Sequence, residues 1–409
     1  MKKYWIKKSK EEIKEKIFSS LKSNINFKTS KIMGVPASYL DGNVFYDDFP
    51  FLSEAPFLST LISNPNHIGC HTLGSSEEFF QGTQAIERET IELLSVDLFD
   101  AEVDSTDGYI ASGGTEANIQ ACWIYRNMLL KQGFDHNKIT ILCSEDTHYS
   151  IPKAANLLNL NLLQLPVNPE NRQIDLKRSK ELINERIDYI DACIIVLNMG
   201  TTMFGSVDDT SLIDLVKETS LPFKAHVDGA YGGFIYSVAT DNNDLSFGNK
   251  DISSITIDAH KMLQAPYGTG IFLSRKGLID HALTEEAGYV KGLDITLSGS
   301  RSGANAVAVW MILMTYGYYG WKELVNTLNW RTDYLCFSLK KKNINFFRHP
   351  SLNIVTLDSR DVDGLICEKY GLVPETHNKN NKYWKIVVMQ HVGMQIINEF
   401  LDELENNIG

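Results

Sequence analysis

A lysine just after an apolar run is the residue of this sequence best suited to act as a nucleophile. Lys261 follows the segment Ile252–Asp258, whose composition predicts a buried strand. Burial disfavours a charged ammonium group, so a buried lysine more readily offers the neutral amine that attacks carbonyl carbons. The alternative is a surface lysine with only its alkyl chain covered, which is the commoner arrangement.

Two glycines and a threonine form a second candidate site, for an anion. Gly113, Gly114 and Thr115 stand before an amphipathic helical pattern that reaches about Lys131. The N–H groups at the start of a helix, together with the partial positive charge there, suit a phosphate. Gly-Gly turns of this kind also occur without ligands. The glycine motifs of dinucleotide and Walker-type nucleotide sites are absent, which argues against nucleotides.

Polar side chains follow three further strand-like runs. Asp228 could pair with the nitrogen of a pyridine ring or cap the next turn, and His148 could stack on such a ring or be an exposed loop residue. The hydroxyls of Thr201 and Thr202 could reach a substituent of the ring. A lysine, a phosphate site, a carboxylate and a stacking side chain are together the groups that pyridoxal phosphate (PLP) requires.

The elements that must position these residues are strands that alternate with helices between about residues 100 and 275. This order predicts a mainly parallel sheet with helices on both faces, and so an α/β fold. Ligands of such sheets bind at the carboxyl ends of the strands, where the residues named above fall. The predicted strands are Lys138–Cys143, Leu160–Val167, Ala192–Leu197, Phe223–Val227, Ile252–Ile257 and Gly270–Leu273.

The sequence predicts three parts of the chain. Residues 1–75 form an N-terminal segment of helix and loops, residues 76–315 a large PLP-binding domain, and residues 316–409 a small α+β domain. The apolar stretch Ala304–Leu324 predicts a helix, broken near Gly317, that joins the large domain to the small one.

The overall composition limits the possible partners. A formal net charge of −12 argues against nucleic acid, and the lack of a long apolar run argues against a membrane span. The six cysteines are dispersed without zinc-ligand spacing, which predicts no metal site and no disulfide framework and fits the cytoplasm. The first residues predict an amphipathic helix over Lys10–Leu21, capped by Ser9 and Glu12, instead of a targeting peptide.

In their order along the chain, these motifs resemble those of the group II PLP-dependent amino-acid decarboxylases. Within that group the chain is most similar to the compact bacterial histidine and serine decarboxylases and the archaeal tyrosine/aspartate decarboxylases. The resemblance implies the PLP-dependent transferase fold type I (aspartate aminotransferase-like) and a homodimer with shared active sites, which the N-terminal segment contacts. The motifs that carry it are Phe79–Glu87, Ser112–Asn118, Asp146–Ser150, Gly200–Thr202, His226–Tyr231, His260–Lys261 and Leu297–Gly303.

The resemblance implies a role for each matching residue. Lys261 would hold PLP as a Schiff base, and Asp228 would pair with the ring nitrogen. His148 would stack on the ring and contact the substrate, and Ala230 would pack against the ring. The remaining cofactor contacts would come from Gly113, Gly114, Thr115 and His260 at the phosphate and from Thr201 and Thr202 beside the ring.

The resemblance also implies candidates for contacts with the substrate. Tyr289 occupies the position of a mobile active-site segment in relatives and is the candidate proton donor to the α carbon, with Lys261 as the alternative. Arg301 would contact either the substrate carboxylate or the dimer interface. His71 is a further candidate substrate contact, but its segment, Asn66–His71, departs from the relatives and transfers no specificity. Gly229 stands where relatives usually carry alanine, which is a minor departure.

These implications predict decarboxylation of an L-amino acid to its amine and carbon dioxide. A histidine or aromatic substrate suits the aromatic-rich segment Val44–Phe51, although such aromatics more often belong to a core. Acidic or small amino acids (aspartate, glutamate, serine) are the alternative substrates. A PLP-dependent carbon–carbon lyase, such as sphingosine-phosphate lyase, is the alternative reaction. An aminotransferase and an inactive PLP-binding protein are weaker alternatives.

Overall fold

Strands and helices alternate along most of the chain. The computed structural model describes residues 4–35, 39–68, 78–283, 291–376 and 381–406. The helices are α1 (Lys10–Ser23), α2 (Pro56–Ser63), α3 (Gln81–Leu93), α4 (Gly114–Lys131), α5 (Ser150–Leu158), α6 (Leu176–Glu185), α7 (Ser211–Glu218), α8 (Gly232–Ala239), α9 (Gly303–Lys341), α10 (Gly364–Lys369) and α11 (Met394–Asn406). The strands are β1 (Asn66–Ile68), β2 (Thr106–Ala111), β3 (Ile139–Ser144), β4 (Asn161–Leu165), β5 (Ala192–Asn198), β6 (Phe223–Asp228), β7 (Ile252–Asp258), β8 (Gly270–Arg275), β9 (Ser300–Ser302), β10 (Phe346–Phe347), β11 (Ile354–Asp358), β12 (Val373–Pro374) and β13 (Tyr383–Val387).

Seven strands of the described chain form the central sheet, in the order β2-β8-β7-β6-β5-β3-β4. Strands β7, β6, β5, β3 and β4 run parallel to one another. Strand β8 runs antiparallel to both β7 and β2. Alternate residues of β5 enter different apolar clusters, since Ile194 belongs to one and Ile195 to the other. The sheet is therefore covered on both faces, which is why its strands are continuous apolar runs.

The predicted strands are all present, and their first and last residues lie within two residues of the prediction. The sequence does not predict β2, because Thr106-Asp-Gly-Tyr-Ile-Ala111 contains no continuous apolar run. Strand β2 nevertheless pairs with β8 along its whole length. Gly108 allows the close approach, since a Cβ at this position would lie 2.4 Å from the carbonyl oxygen of Phe272.

The long helix α9 contains the predicted break. Gly317 has φ 66° and ψ 169°, a backbone conformation that residues with a side chain rarely adopt. The N-terminal segment crosses the helix at this point, where a Cβ on Gly317 would lie 2.5 Å from the backbone nitrogen of Lys7. The N–H of Tyr318 donates to the carbonyl oxygen of Trp5 at 3.1 Å. The break therefore holds the start of the chain.

A second, antiparallel sheet follows α9 in the order β10-β11-β13-β12. Helices α10 and α11 pack with this sheet in an apolar cluster of their own. This arrangement is the α+β architecture predicted for the C-terminal part of the chain, and the exact limits of the three parts stay predictions.

The N-terminal helix α1 begins with the predicted capping box. The N–H of Ser9 donates to Glu12 Oε2 at 2.7 Å, and the N–H of Glu12 donates to Ser9 Oγ at 3.2 Å. Ile13 and Ile17 are buried against the large sheet's apolar cluster. Further along, β1 pairs antiparallel with β9, which places His67 opposite Arg301.

Candidate active site

A cavity of about 310 Å³ brings together residues that follow four different strands of the central sheet. A larger cavity of about 740 Å³ lies beside α1 and contains none of the predicted site residues. The chemistry therefore points to the smaller cavity. It is lined by Ser112, Gly113, Gly114, Thr115, Glu116, Asn118, His148, Tyr149, Ala230, Asp258, His260 and Lys261.

The start of α4 forms one wall of this cavity. The N–H of Gly114 donates to Asp258 Oδ1 at 2.5 Å. A Cβ on Gly114 would lie 2.8 Å from Asp258 Oδ2 and 3.1 Å from the Cβ of Ala230, so only glycine fits there. The sequence analysis assigned no role to Asp258, although its position at the end of β7 matches that of Asp228 at the end of β6.

His260 lies beside this helix start. Its Cε1 would be 3.9 Å from a Cβ on Gly113. The Nδ1 atom of His260 is buried and finds no hydrogen-bond partner among the described residues, and Asp258 Oδ1 lies 3.7 Å away. A ring nitrogen without a partner next to a helix N-terminus suits a phosphate oxygen. The residues present therefore fit the phosphate of PLP.

Lys261 reaches the cavity as predicted, but it is not fully buried. Its Nζ lies 3.1 Å from Asp258 Oδ2, and its side chain is 36% exposed whereas that of Asp258 is 5% exposed. The prediction of a buried lysine was wrong because the buried strand ends at Asp258. The chain then turns so that Lys261 faces the open cavity.

Asp228 lies next to the cavity and is held by two donors. Its Oδ2 accepts from Asn118 Nδ2 at 2.9 Å, and its Oδ1 accepts from the N–H of Ala230 at 3.1 Å. The carboxylate is 5% exposed. Asn118 lies in the same helix start as the glycine turn, and no role was predicted for it from the sequence.

The ring of His148 also faces the cavity. Its Nδ1 lies 2.9 Å from Ser150 Oγ and 3.2 Å from the N–H of Ser150. Burial lowers the pKa of His148, and the charge of Lys261 adds to this effect while Asp228 and Asp258 oppose it. The ring is therefore neutral near pH 7, as stacking on a cofactor ring allows. Tyr149, whose ring centroid lies 3.9 Å from that of His148, was not predicted.

Thr201 and Thr202 do not line this cavity. The Thr201 hydroxyl pairs with Ser206 Oγ at 2.7 Å, and the Thr202 carbonyl accepts from Lys385 Nζ at 3.0 Å. Burial lowers the pKa of Lys385, and the nearby charge of Lys261 lowers it further. Lys385 of β13 is therefore a second cation close to the candidate nucleophile, and no sequence signal pointed to it.

Arg301 does not line the cavity either. Its Nη1 donates to Glu87 and, at 3.0 Å, to the carbonyl oxygen of Ile110. Burial raises the pKa of Glu87, but Arg301 and His67 together lower it to about 2. The guanidinium also lies 5.0 Å from the ring centroid of Tyr109. Arg301 is thus the buried partner of an ionised carboxylate within its own chain, and a contact with substrate stays a prediction.

Two predicted residues, Tyr289 and His71, lie outside the described residues.

The aromatic segment Val44–Phe51 is described, and it does not join a core of this chain. Phe45, Tyr46 and Phe51 are 48%, 53% and 54% exposed. Of the two interpretations of this segment, membership of a core is therefore excluded for these three side chains, and a role at the substrate stays a prediction.

The sheet and the cavity define a class of protein. The sheet is mainly parallel with one antiparallel strand, and a lysine, a histidine and a glycine turn meet at its carboxyl edge. These features together are those of a PLP-dependent enzyme of fold type I. The family described as "Pyridoxal-dependent decarboxylase conserved domain" matches residues 89–351. The chain therefore belongs to the family of PLP-dependent decarboxylases, and it is a carboxy-lyase that uses PLP.

Two relatives align over nearly the whole chain. The tryptophan decarboxylase of Clostridium sporogenes is 48% identical over 405 residues, which cover 98% of this chain and 97% of the relative. A probable L-aspartate decarboxylase of Thermococcus gammatolerans is 31% identical over 408 residues, which cover 97% of this chain and 96% of the relative. Among solved structures, L-methionine decarboxylase from Streptomyces sp. 590 has a TM-score of 0.70 at 19% identity, covering 97% of this chain and 94% of that chain, and supports the fold.

Proposed function

We propose that this carboxy-lyase acts on an aromatic L-amino acid, with tryptophan as the first substrate to test. The observation that carries the proposal is the 48% identity to a tryptophan decarboxylase across 98% of the chain. The aspartate decarboxylase relative, at 31% identity, makes an acidic amino acid the second candidate. A carbon–carbon lyase stays the alternative reaction.

We infer the following roles for the residues of the cavity. PLP, when bound, supplies an aldehyde and an electron-withdrawing ring. Gly113, Gly114 and Thr115 would hold its phosphate with His260, whose Nδ1 has no partner among the described residues. Lys261 would be the amine that holds the aldehyde. Thr201 and Thr202 would need a shift of their loop to reach the ring.

Asp228 and His148 would orient the ring. Asp228 is a carboxylate with both oxygens fixed by donors, so it can accept a further proton-bearing nitrogen without rotating. That contact keeps the ring nitrogen protonated, which makes the ring a stronger electron acceptor. His148 is neutral and would lie against the ring, with Ala230 on the cavity wall.

Proton transfer to the α carbon is assigned to Lys261 or Tyr289. The Lys261 amine lies 3.1 Å from Asp258 Oδ2, so a carboxylate is in place to keep a proton on the amine. After carbon dioxide leaves, this proton would be donated to the α carbon, where it takes the place of the lost carboxylate. Tyr289 stays the alternative donor.

Lys385 is the candidate for contact with the substrate carboxylate. Its Nζ lies 3.0 Å from the Thr202 carbonyl, and the charge of Lys261 adds to burial in lowering the pKa of Lys385. Two neighbouring cations repel each other unless an anion lies between them, and the carboxylate of an amino acid is such an anion. Arg301 is less suited because Glu87 already neutralises it.

A homodimer with shared active sites is also part of the proposal. Exposed aromatic side chains on residues 44–51 are suited to burial against a second copy of the chain. We further infer a cytoplasmic location, since the described cysteines are free thiols. In the part of the chain that the structure describes, no helix combines the length and apolar character of a membrane span.

The test is the release of carbon dioxide from each common amino acid by the PLP-loaded protein. We expect tryptophan to give the highest kcat/KM, with other aromatic amino acids next. A preference for aspartate or glutamate would replace the first candidate with the second. Release of an aldehyde in place of carbon dioxide would contradict the proposal.

A further inference from the structure

Asn118 joins two residues of the candidate active site that lie on separate loops. Its Nδ2 donates to Asp228 Oδ2 and to Ser150 Oγ, each at 2.9 Å, and Ser150 in turn contacts His148. Asn118 and Ser150 are 1% and 0% exposed. We propose that Asn118 is a positioning residue that ties the orientation of Asp228 to the tautomer of His148. This inference rests on the roles proposed above for Asp228 and His148.

The charge of Asp228 sets the direction of these hydrogen bonds. A carboxylate only accepts, so the amide NH₂ of Asn118 must face Asp228. The Asn118 oxygen then lies 2.9 Å from His226 Nε2, and this nitrogen must carry a proton in order to donate to it. Thr256 Oγ1 lies 3.3 Å from the same nitrogen. Burial lowers the pKa of His226 to about 4. The ring is therefore neutral, and its Nδ1 accepts from the hydroxyl of Ser254 at 2.7 Å.

The series ends at a donor. The hydroxyl of Ser254 donates its hydrogen bond to His226, so the Ser254 oxygen accepts from the hydroxyl of Tyr125, at 2.5 Å. In every hydrogen bond of the series from Tyr125 to Asp228, it is then fixed which group donates and which accepts. All of them are buried, so water cannot replace a missing partner.

The second N–H of Asn118 has the same effect on His148. Ser150 Oγ accepts from Asn118, so the Ser150 hydroxyl proton is directed to His148 Nδ1 at 2.9 Å. The backbone N–H of Ser150 donates to the same nitrogen at 3.2 Å. His148 Nδ1 therefore carries no proton, and the proton of the neutral ring is on Nε2.

The tautomer matters because only one of the two can donate from Nε2. A neutral histidine protonated at Nε2 presents a donor there, which can bond a carboxylate of the substrate. The other tautomer would present a lone pair and repel that carboxylate. Asn118 thus fixes two properties at once, the direction of an acceptor on Asp228 and the presence of a donor on His148.

The test is the variant Asn118→Leu, which keeps the side-chain shape and removes every hydrogen bond. In protein labelled with ¹⁵N-histidine and free of PLP, long-range proton–nitrogen NMR reports which ring nitrogen carries the proton. His148→Gln assigns the signal. We expect His148 protonated only at Nε2 in the wild type. In Asn118→Leu the Ser150 hydroxyl is free to turn and only the backbone N–H of Ser150 still donates to Nδ1, so part of the protein should carry the proton on Nδ1. The PLP dissociation constant of this variant should rise about 10- to 100-fold, because a hydrogen bond to a charged group is lost.

A second variant separates the effect of Asn118 on Asp228 from its effect on His148. Ser150→Ala removes the hydroxyl at His148 and leaves Asn118 bonded to Asp228. Only the backbone N–H of Ser150 then directs Nδ1, so the tautomer should shift partly toward Nδ1 while PLP affinity stays within about twofold. Asn127→Leu is the matched control, since Asn127 lies further along α4 and its Nδ2 bonds the carbonyl of His281 at 2.9 Å. Both readouts should match the wild type in this control.

A folded Asn118→Leu protein with a single His148 tautomer and unchanged PLP affinity overturns the inference. If Asn118→Leu does not fold, an unchanged tautomer in Ser150→Ala overturns it instead. A wild-type protein that has the expected tautomer but decarboxylates no amino acid contradicts the proposed function and leaves the role of Asn118 standing, because the NMR measurement needs neither PLP nor turnover.

Discussion

The Lys261 amine and the Gly114 N–H meet at one carboxylate. Asp258 Oδ2 lies 3.1 Å from Lys261 Nζ, and Asp258 Oδ1 accepts from the Gly114 N–H at 2.5 Å. The candidate nucleophile and the candidate phosphate site are therefore linked through a single buried side chain. Removal of the negative charge of Asp258 should affect Lys261, whereas a change in the shape of its side chain should affect both Lys261 and the phosphate site at Gly114.

Asp258→Asn separates these effects, because it keeps an acceptor for the Gly114 N–H and removes the charge beside Lys261. We expect PLP to attach to the lysine several-fold faster near neutral pH, since the ammonium form loses its counter-charge. The rate of the absorbance change on PLP addition, followed across pH, measures this. Asp251→Asn, which breaks the surface pair with Lys217 at 2.6 Å, is the control. Equal rates in wild type and Asp258→Asn would show that the ion pair does not hold the proton.

Lys261→Met should abolish decarboxylation. Loss of a group that acts covalently costs far more than loss of a contact, so activity should fall below about a thousandth of the wild-type rate. Borohydride reduction followed by mass spectrometry should find no PLP on the variant. Lys276→Met, which removes a surface partner of Asp104, should behave as the wild type. Turnover retained in Lys261→Met would place the nucleophile elsewhere.

Acid should destabilise the fold through His226. Burial lowers the pKa of this ring from 6.5 to about 4. Between these values the unfolded chain binds a proton that the folded chain does not, so the free energy of unfolding falls as the pH falls. From near pH 7 to about pH 5, we expect urea unfolding to show a loss about 2 kcal/mol larger in the wild type than in His226→Gln. Equal losses in both proteins would mean that His226 does not titrate in this way.

Lys385→Met should weaken substrate binding. If Lys385 contacts a carboxylate in the bound amino acid, KM should rise about tenfold or more while kcat changes less. Steady-state kinetics with the best substrate measure both constants. Lys382→Met is the control, because Lys382 is exposed and lies three residues away. A loss in kcat with an unchanged KM would assign Lys385 to the reaction instead of to binding.

The exposed aromatics of residues 44–51 should be needed for dimer formation. Phe45 and Phe51 are 48% and 54% exposed, and burial of each is worth about 2 kcal/mol. The double variant Phe45→Ser/Phe51→Ser should therefore raise the dimer dissociation constant by about 100-fold or more, measured by sedimentation. Phe337→Ser removes an equally exposed ring on α9 as the control. A wild-type protein that is monomeric and fully active at micromolar concentration would contradict the shared site.

The sequence predicts the parallel strands well because they are buried on both faces and therefore apolar throughout. It does not predict β2, whose pairing depends on the neighbouring β8 and on a glycine at position 108. It also predicts the break at Gly317, since glycine is the residue that tolerates a positive φ.

Within the site, sequence reasoning finds the residues that follow strands and misses those that act through distant partners. Asn118 bonds a residue 110 positions away, and Gly114 bonds one 144 positions away. No local pattern reports such pairs. The expected burial of Lys261 failed for a related reason, because an apolar run describes the strand itself and not the turn that follows it.

The contact between the segment around Trp5 and α9 limits how early this segment can reach its folded position during synthesis. The indole N–H of Trp5 donates to the carbonyl of Leu313 at 3.0 Å, a partner 308 residues later in the chain. Because synthesis runs from the amino to the carboxyl end, Trp5 cannot make this contact until Leu313 has been added to the chain. All seven strands of the central sheet end before Leu313, so this contact can form only after every strand of the sheet has been synthesised.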